Sequence, residues 1–186
     1  MPSMHYAGIG SRRTPDSILE LISKISSRLD LLGYTLRSGG AVGADLGFET
    51  CSTSKIVFYA DHAEVSGKRP RRVEYAPADI EFMEGFVRKH HPVPMALKGT
   101  PRKWMRRNTL QVMAHNLSGL ELPQVDFVLC WTPDGSLDGA SRSAGGTGQA
   151  LRIARHHGIP VFNLEPNPRH CLSRLKDHLV AIGVTK

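Results

Sequence analysis

The sequence of 186 residues is poor in cysteine, in aromatic side chains and in long apolar runs. Its three cysteines, Cys51, Cys130 and Cys171, are odd in number, widely spaced and in no CxxC pairing, which argues against a disulfide framework and against a zinc site. No stretch approaches the ~18 uninterrupted apolar residues of a membrane span, and the opening MPSMHYAGIG lacks the charged-then-apolar layout of a secretory signal. A soluble, cytoplasmic protein with no membrane partner is expected. No GxxxxGK[ST] occurs, which excludes ATP hydrolysis through that phosphate loop, and GIGSRR lacks the third glycine of the dinucleotide motif GxGxxG. With 6% aromatics there is no obvious ladder on which successive bases would stack. Repeats and a second-domain boundary are also missing. A chain of this length buries roughly two-thirds of its unfolded surface, so residues 1–186 read as one domain with a less regular insert around 61–100.

What the chain does carry is positive charge, glycine and a regular succession of apolar segments. Lys and Arg number 24 against 17 Asp and Glu, a net charge of +7 that suits either an anionic partner or plain solubility. Residues 4–8 read as a short strand entering the turn-forming GSRRTP. Ile18, Leu21, Ile22, Ile25, Leu29 and Leu32 then recur at three- and four-residue spacing, an amphipathic helix over 15–32 closed by Gly33. A strand over 34–37, a helix from about 41 to before Lys55 and a strand over 55–60 follow, and 61–76 reads as an exposed polar loop. Helices are expected over 77–90, 101–117, 146–157 and 167–182, and strands over 124–131 and 159–164. Parallel strands need crossover helices, so this alternation predicts an α/β fold with one parallel sheet flanked by helices on both faces.

Three glycine-bearing loops, GIGSRRT (8–14), SGGAVGAD (38–45) and AGGTGQ (144–149), lie between predicted strands and helices. At the carboxyl edge of such a sheet they converge on one crevice. Glycine lets the backbone approach an anion, and amides at the following helix start point toward it. Gly10, Ser11, Arg12, Ser38, Gly39, Gly40, Gly145, Gly146, Thr147, Gly148 and Gln149 are therefore candidate phosphate ligands. A tight turn explains any one loop; three together point to a phosphate site.

Asp45 and Glu49, four apart on the predicted second helix, share a face and could hold ribose hydroxyls or stabilise an oxocarbenium-like centre; helix capping and solvation are the plain alternative. The helix amino terminus is expected to lower their pKa. Trp131, ending the most apolar strand, either stacks on a base or packs in the core. The pairs His90–His91 and His156–His157 point their rings apart on a helix, so no metal site is expected. Lys68, Arg69, Arg71 and Arg72, with Arg102, Lys103, Arg106 and Arg107, are candidates for a nucleic-acid path, although a solvated surface explains the first group equally well.

The segments YAGIGSRRTP, LRSGGAVGADLGFE, RRN, VDFVLCWTPDG and GGTGQALRIARHHGIPVFNL together resemble the Rossmann-like superfamily that contains the DNA-processing protein DprA and the LOG cytokinin-activating phosphoribohydrolases. They are most similar to short DprA-like proteins, many of them encoded by bacteriophages. The resemblance implies a single Rossmann-like domain. It puts Arg107 in the place of the LOG catalytic arginine, or, with Asn108, in that of the Arg-Asn pair of DprA. Gly145, Gly146 and Gly148 match the LOG loop PGGxGTxxE, while Gln149 replaces its threonine and Arg152 its glutamate.

Two functions are carried forward. In the first, the glycine loops hold a nucleotide phosphate, Asp45 and Glu49 hold the ribose and Arg107 completes the charge. Such a protein either sequesters a nucleotide-derived signal or cleaves the N-glycosidic bond of a nucleoside monophosphate. The alternative is a DprA-like single-stranded DNA-binding recombination mediator. No cofactor is expected, the compartment is the cytoplasm (of a host, if phage-encoded), and homo-oligomerisation is left open.

Overall fold

A computed structural model describes residues 4–67 and 69–185, so Lys68 of the first basic group lies outside the described residues. The chain runs β1 (His5–Gly10), α1 (Asp16–Leu31), β2 (Thr35–Ser38), α2 (Ala44–Thr50), β3 (Lys55–Phe58), β4 (His62–Val65), β5 (Arg71–Glu74) and α3 (Pro77–His90). It continues with α4 (Gly99–Val112), β6 (His115–Leu117), β7 (Leu120–Leu122), β8 (Phe127–Trp131), α5 (Thr147–His156), β9 (Val161–Asn163) and α6 (Pro168–Ala181).

Seven strands form one sheet in the order β5-β4-β3-β2-β1-β8-β9. The pairs β3–β2, β2–β1, β1–β8 and β8–β9 are parallel, as expected. The rest departs from expectation, because residues 61–76 hold a hairpin, β4 and β5, that adds two antiparallel strands to the β3 edge. Only Ala63 and Val73 of this hairpin are buried. An edge strand covered on one face needs few apolar residues, and the cross-strand partners Glu64 and Arg72 are opposite in charge. The helix expected over 101–117 likewise stops at Val112, and β6 and β7 form a separate small hairpin. The second helix is shorter than expected, Ala44–Thr50.

Side chains of β1 alternate between two cores. Tyr6 packs with Ile22, Leu29, Phe48, Phe127 and Leu175 under α1, α2 and α6, while Ala7 and Ile9 pack with Val112, Ala150, Leu151 and Ile153 under α4 and α5. The scarce aromatics are concentrated here: Tyr6 stacks on Phe127 at 5.7 Å, and Tyr34 meets the same ring edge-on at 5.4 Å. Each such pair adds about 0.5–1.5 kcal/mol to its area burial.

Arg37 of β2 is fully buried and joins the sheet to the end of α4. Its guanidinium donates to the carbonyls of Leu110 (3.2 Å), Met113 (3.0 Å) and Pro123, and its Nε to Nδ1 of His5 (3.0 Å). Burial and the Arg37 charge push His5 down to about 3, which keeps that nitrogen an acceptor. A second polar joint lies between α3 and α4, where buried Glu84 receives both Arg102 and Arg106. Burial opposes ionisation of Glu84, but the two guanidiniums outweigh it and hold its pKa below the usual carboxylate range. Among the described residues no helix is long and apolar enough to cross a membrane.

Candidate functional site

The crossover from β1 through α1 leads to β2 on one side, and the crossover from β8 through α5 leads to β9 on the other. β1 and β8 are neighbours, so their carboxyl ends flank the point where the winding reverses, which is where ligands bind in open α/β sheets. A cavity of about 500 Å³ opens there, lined by Gly10, Ser11, Arg12, Arg13, Ala41, Asp45, Trp104, Met105, Arg107, Asn108, Gln111 and residues 143–147. That size accommodates a small polar ligand or one unit of a polymer.

α4 supplies the wall that ties the loops together. Trp104, Arg107, Asn108 and Gln111 stand at i, i+3, i+4 and i+7, one face of the helix. Asn108 donates through Nδ2 to the Gly146 carbonyl at 2.9 Å. With its amide turned to satisfy its neighbours, Gln111 accepts from the Gly39 amide (3.0 Å) and from Arg107 (2.6 Å), and donates to Asn108 (3.0 Å). Arg107 lies so close over Gly39 that a Cβ there would sit 1.8 Å from its Nη1, which explains the glycine. Gly43, with φ of +95°, brings the second loop against the first; a Cβ would stand 2.4 Å from the Ser11 carbonyl oxygen.

The two acids sit inside this frame. Asp45 lines the cavity and accepts from the Gly10 amide at 3.0 Å, joining the first loop to α2. Glu49 lies deeper, off the cavity, and accepts from Ser38 Oγ (2.6 Å) and the Gly40 amide (3.0 Å). The expected lowering of the Asp45 pKa is not found. Burial raises it to about 6, Arg107 and the Gly10 amide only partly offsetting this and Glu49 adding to it. The amino-terminal helix field is too weak against full desolvation.

Many loop amides are already used by the protein. Those of Gly10, Gly39 and Gly40 donate to Asp45, Gln111 and Glu49, and that of Ser11 to the Trp131 carbonyl at 3.1 Å. Gly148 and Gln149 donate back to Gly145 and Gly146. The amides of Gly146 and Thr147 have no backbone acceptor among the described residues, while that of Gly145 closes the short 3-10 turn at Arg142–Ala144. The anion cradle expected from three loops is thus confined to the start of α5, with guanidiniums supplying the rest. Arg12, Arg13 and Arg107 face the cavity against Asp45 alone, so its charge favours an anion. Burial lowers the Arg107 pKa, Asp45 opposing this, and its Nε is buried without a partner.

Several expected ligands lie elsewhere. Ser38, Gly39 and Gly40 form the layer behind Arg107 and do not line the cavity. Trp131 is buried in the core with its Nε1 donating to Glu165 at 3.0 Å, because the strand end points it beneath α6 rather than outward. Gln149 is fully buried against Phe86 and Arg152, and Gly148 packs under Ala144. The tryptophan at the cavity is Trp104, 38% exposed, with the Arg12 guanidinium 5.5 Å from its ring centre. Its three-residue spacing from Arg107 was the available signal. The basic path is also changed: Arg102 and Arg106 are bound to Glu84, and Lys103 to Asp61 (2.6 Å), leaving Arg107 as the member of that group at the cavity. The histidine pairs do not stay apart, since His90 meets His156 and His157 across the α3–α5 contact.

Fold and site together define a Rossmann-like α/β protein with an anion-attracting cavity at its winding reversal. The chain is similar in fold to DNA processing protein A from Helicobacter pylori, solved for its single-stranded DNA binding mode, with a TM-score of 0.52 and 15% identity over 94% of this chain and 81% of that one. No protein-family model and no curated protein matches the sequence.

Proposed function

We propose that the cavity grips a backbone phosphate of single-stranded DNA while Trp104 stacks on an adjacent base. The observation that carries this reading is the convergence of available donors (the amides of Gly146 and Thr147 and the exposed Arg12, with the Arg107 guanidinium behind them) beside an exposed indole on one open cavity. A cationic groove with an aromatic platform is the sequence-tolerant way to hold a single strand. The single-stranded DNA binding of the Helicobacter pylori protein supports the same reading. Cys130 and Cys171 are buried free thiols with pKa values pushed up by burial, which suits a reducing cytoplasm.

A second reading, mononucleotide binding with or without cleavage of the glycosidic bond, is favoured by Asp45, a cavity-lining acid held near pH 6 beside Arg107. Fluorescence anisotropy of a labelled oligothymidylate, competed by thymidine monophosphate, separates the two. Displacement only by other strands supports the first reading. Displacement by the mononucleotide at equal nucleotide concentration, or base released on chromatography, overturns it in favour of the second. Light scattering on the same samples reports any self-association.

A further inference from the structure

On the side of the molecule where α3 and α5 end, three imidazoles meet. His90 closes α3, while His156 and His157 close α5, and one nitrogen from each lies within 4.8 Å of the others. The ring centres are 4.8 Å apart for His90 and His156, 5.1 Å for His156 and His157, and 6.0 Å for His90 and His157. The Nε2 atoms of His90 and His157 are buried and have no hydrogen-bond partner. Buried polar atoms are normally paired, so two orphans on neighbouring rings call for an explanation.

The surroundings fix two of the rings in place. Phe86 stacks beside His90 at 5.7 Å and beside His157 at 5.6 Å. Arg152 of α5 donates to the His90 carbonyl at 2.7 Å, pinning the end of α3 over α5. His156 is exposed and leaves a way in from solvent. Adjacent residues diverge in a regular helix, but His157 is the cap of α5, where the backbone has left helical geometry, so both rings of the pair can turn to His90.

We propose that His90, His156 and His157 bind a divalent transition-metal ion, with water in the remaining position. Imidazole nitrogens around a tetrahedral Zn²⁺ at ~2.0–2.1 Å stand ~3.3 Å apart, so rotamer adjustments of about 1.5 Å complete the site. Three neutral nitrogen ligands select zinc, nickel or copper over magnesium or calcium, which require oxygen. The nearby cations Lys89 and Arg152 oppose a positive ion, so moderate affinity is expected. Bound metal would clamp the ends of α3 and α5 together. This inference is independent of the DNA reading.

The test uses untagged full-length protein freed of metal by chelator. Calorimetric titration with Zn²⁺ and, separately, Mg²⁺ reads binding; thermal denaturation reads stabilisation; the visible spectrum of added Co²⁺ reads geometry. The expected result is one saturable Zn²⁺ site that raises Tm, no response to Mg²⁺, and loss of that site in both His156→Ala and His90→Ala. His156 is exposed, so His156→Ala folds even if His90→Ala does not. Zn²⁺ binding that persists unchanged in His156→Ala, or no saturable binding to the wild-type protein, overturns the proposal.

Discussion

Trp104 and Arg107 stand one turn apart on α4, and the exposed indole sits at the cavity mouth with the Arg12 guanidinium over its ring. Stacking on a base is worth about 1–3 kcal/mol by alanine substitution. Trp104→Ala is therefore expected to weaken oligothymidylate binding by roughly 5- to 150-fold, read by anisotropy, with an unchanged melting temperature. An unaltered affinity means the base goes elsewhere. Asp45 makes a different prediction, because its folded pKa of about 6 lies above the ordinary value of 3.8. The protonated acid is the form the fold prefers, so its contribution to stability is full below about pH 4 and is lost as pH rises through about 6. The shift corresponds to about 3 kcal/mol at ~1.36 kcal/mol per unit. Asp45→Asn cannot ionise, and the variant should gain on wild type by an amount of that order between pH 4 and pH 7 in urea unfolding. A constant difference across that range contradicts the assignment.

At the scale of elements, the parallel strands and their helices were readable because each carries a sustained apolar period. α3 falls on its expected residues, 77–90, since Pro77 opens it and His91 precedes a proline. The hairpin β4–β5 was not readable: its pattern is polar apart from Ala63 and Val73, and its pairing with β3 is a tertiary fact. Of the candidate site, Gly10, Ser11, Arg12, Asp45, Arg107, Asn108, Gly145, Gly146 and Thr147 do meet around one cavity. Glu49, Trp131 and Gln149 have the right residue types at the right edge but face inward, a direction that glycine spacing does not encode. Gln111 and Trp104 lie on the helix that spans the loops, and the glycine spacing that marks the loops does not point to them. Arg37 was legible only as a strand residue, yet it pins β2 to α4. Arg37→Met leaves the carbonyls of Leu110, Met113 and Pro123 without their donor, and a loss of about 3–5 kcal/mol is expected from the urea midpoint. A loss under 1 kcal/mol would show that water replaces the guanidinium.

For the whole molecule, on the proposed reading, the net charge of +7 and the winding reversal act together: the first would draw a polyanion, and the second would offer it a cavity. Much of the positive charge on α4 is internally neutralised through Glu84 and Asp61, so attraction is focused near Arg12, Arg13 and Arg107. The most direct test is the salt dependence of oligothymidylate affinity in wild type and Arg12→Ala. Each phosphate contact on a single strand contributes a slope of about −0.7 in log K against log salt. Arg12→Ala is predicted to bind more weakly and to be shallower by about that one contact; equal slopes and equal affinities in the two proteins would contradict a phosphate held at this cavity.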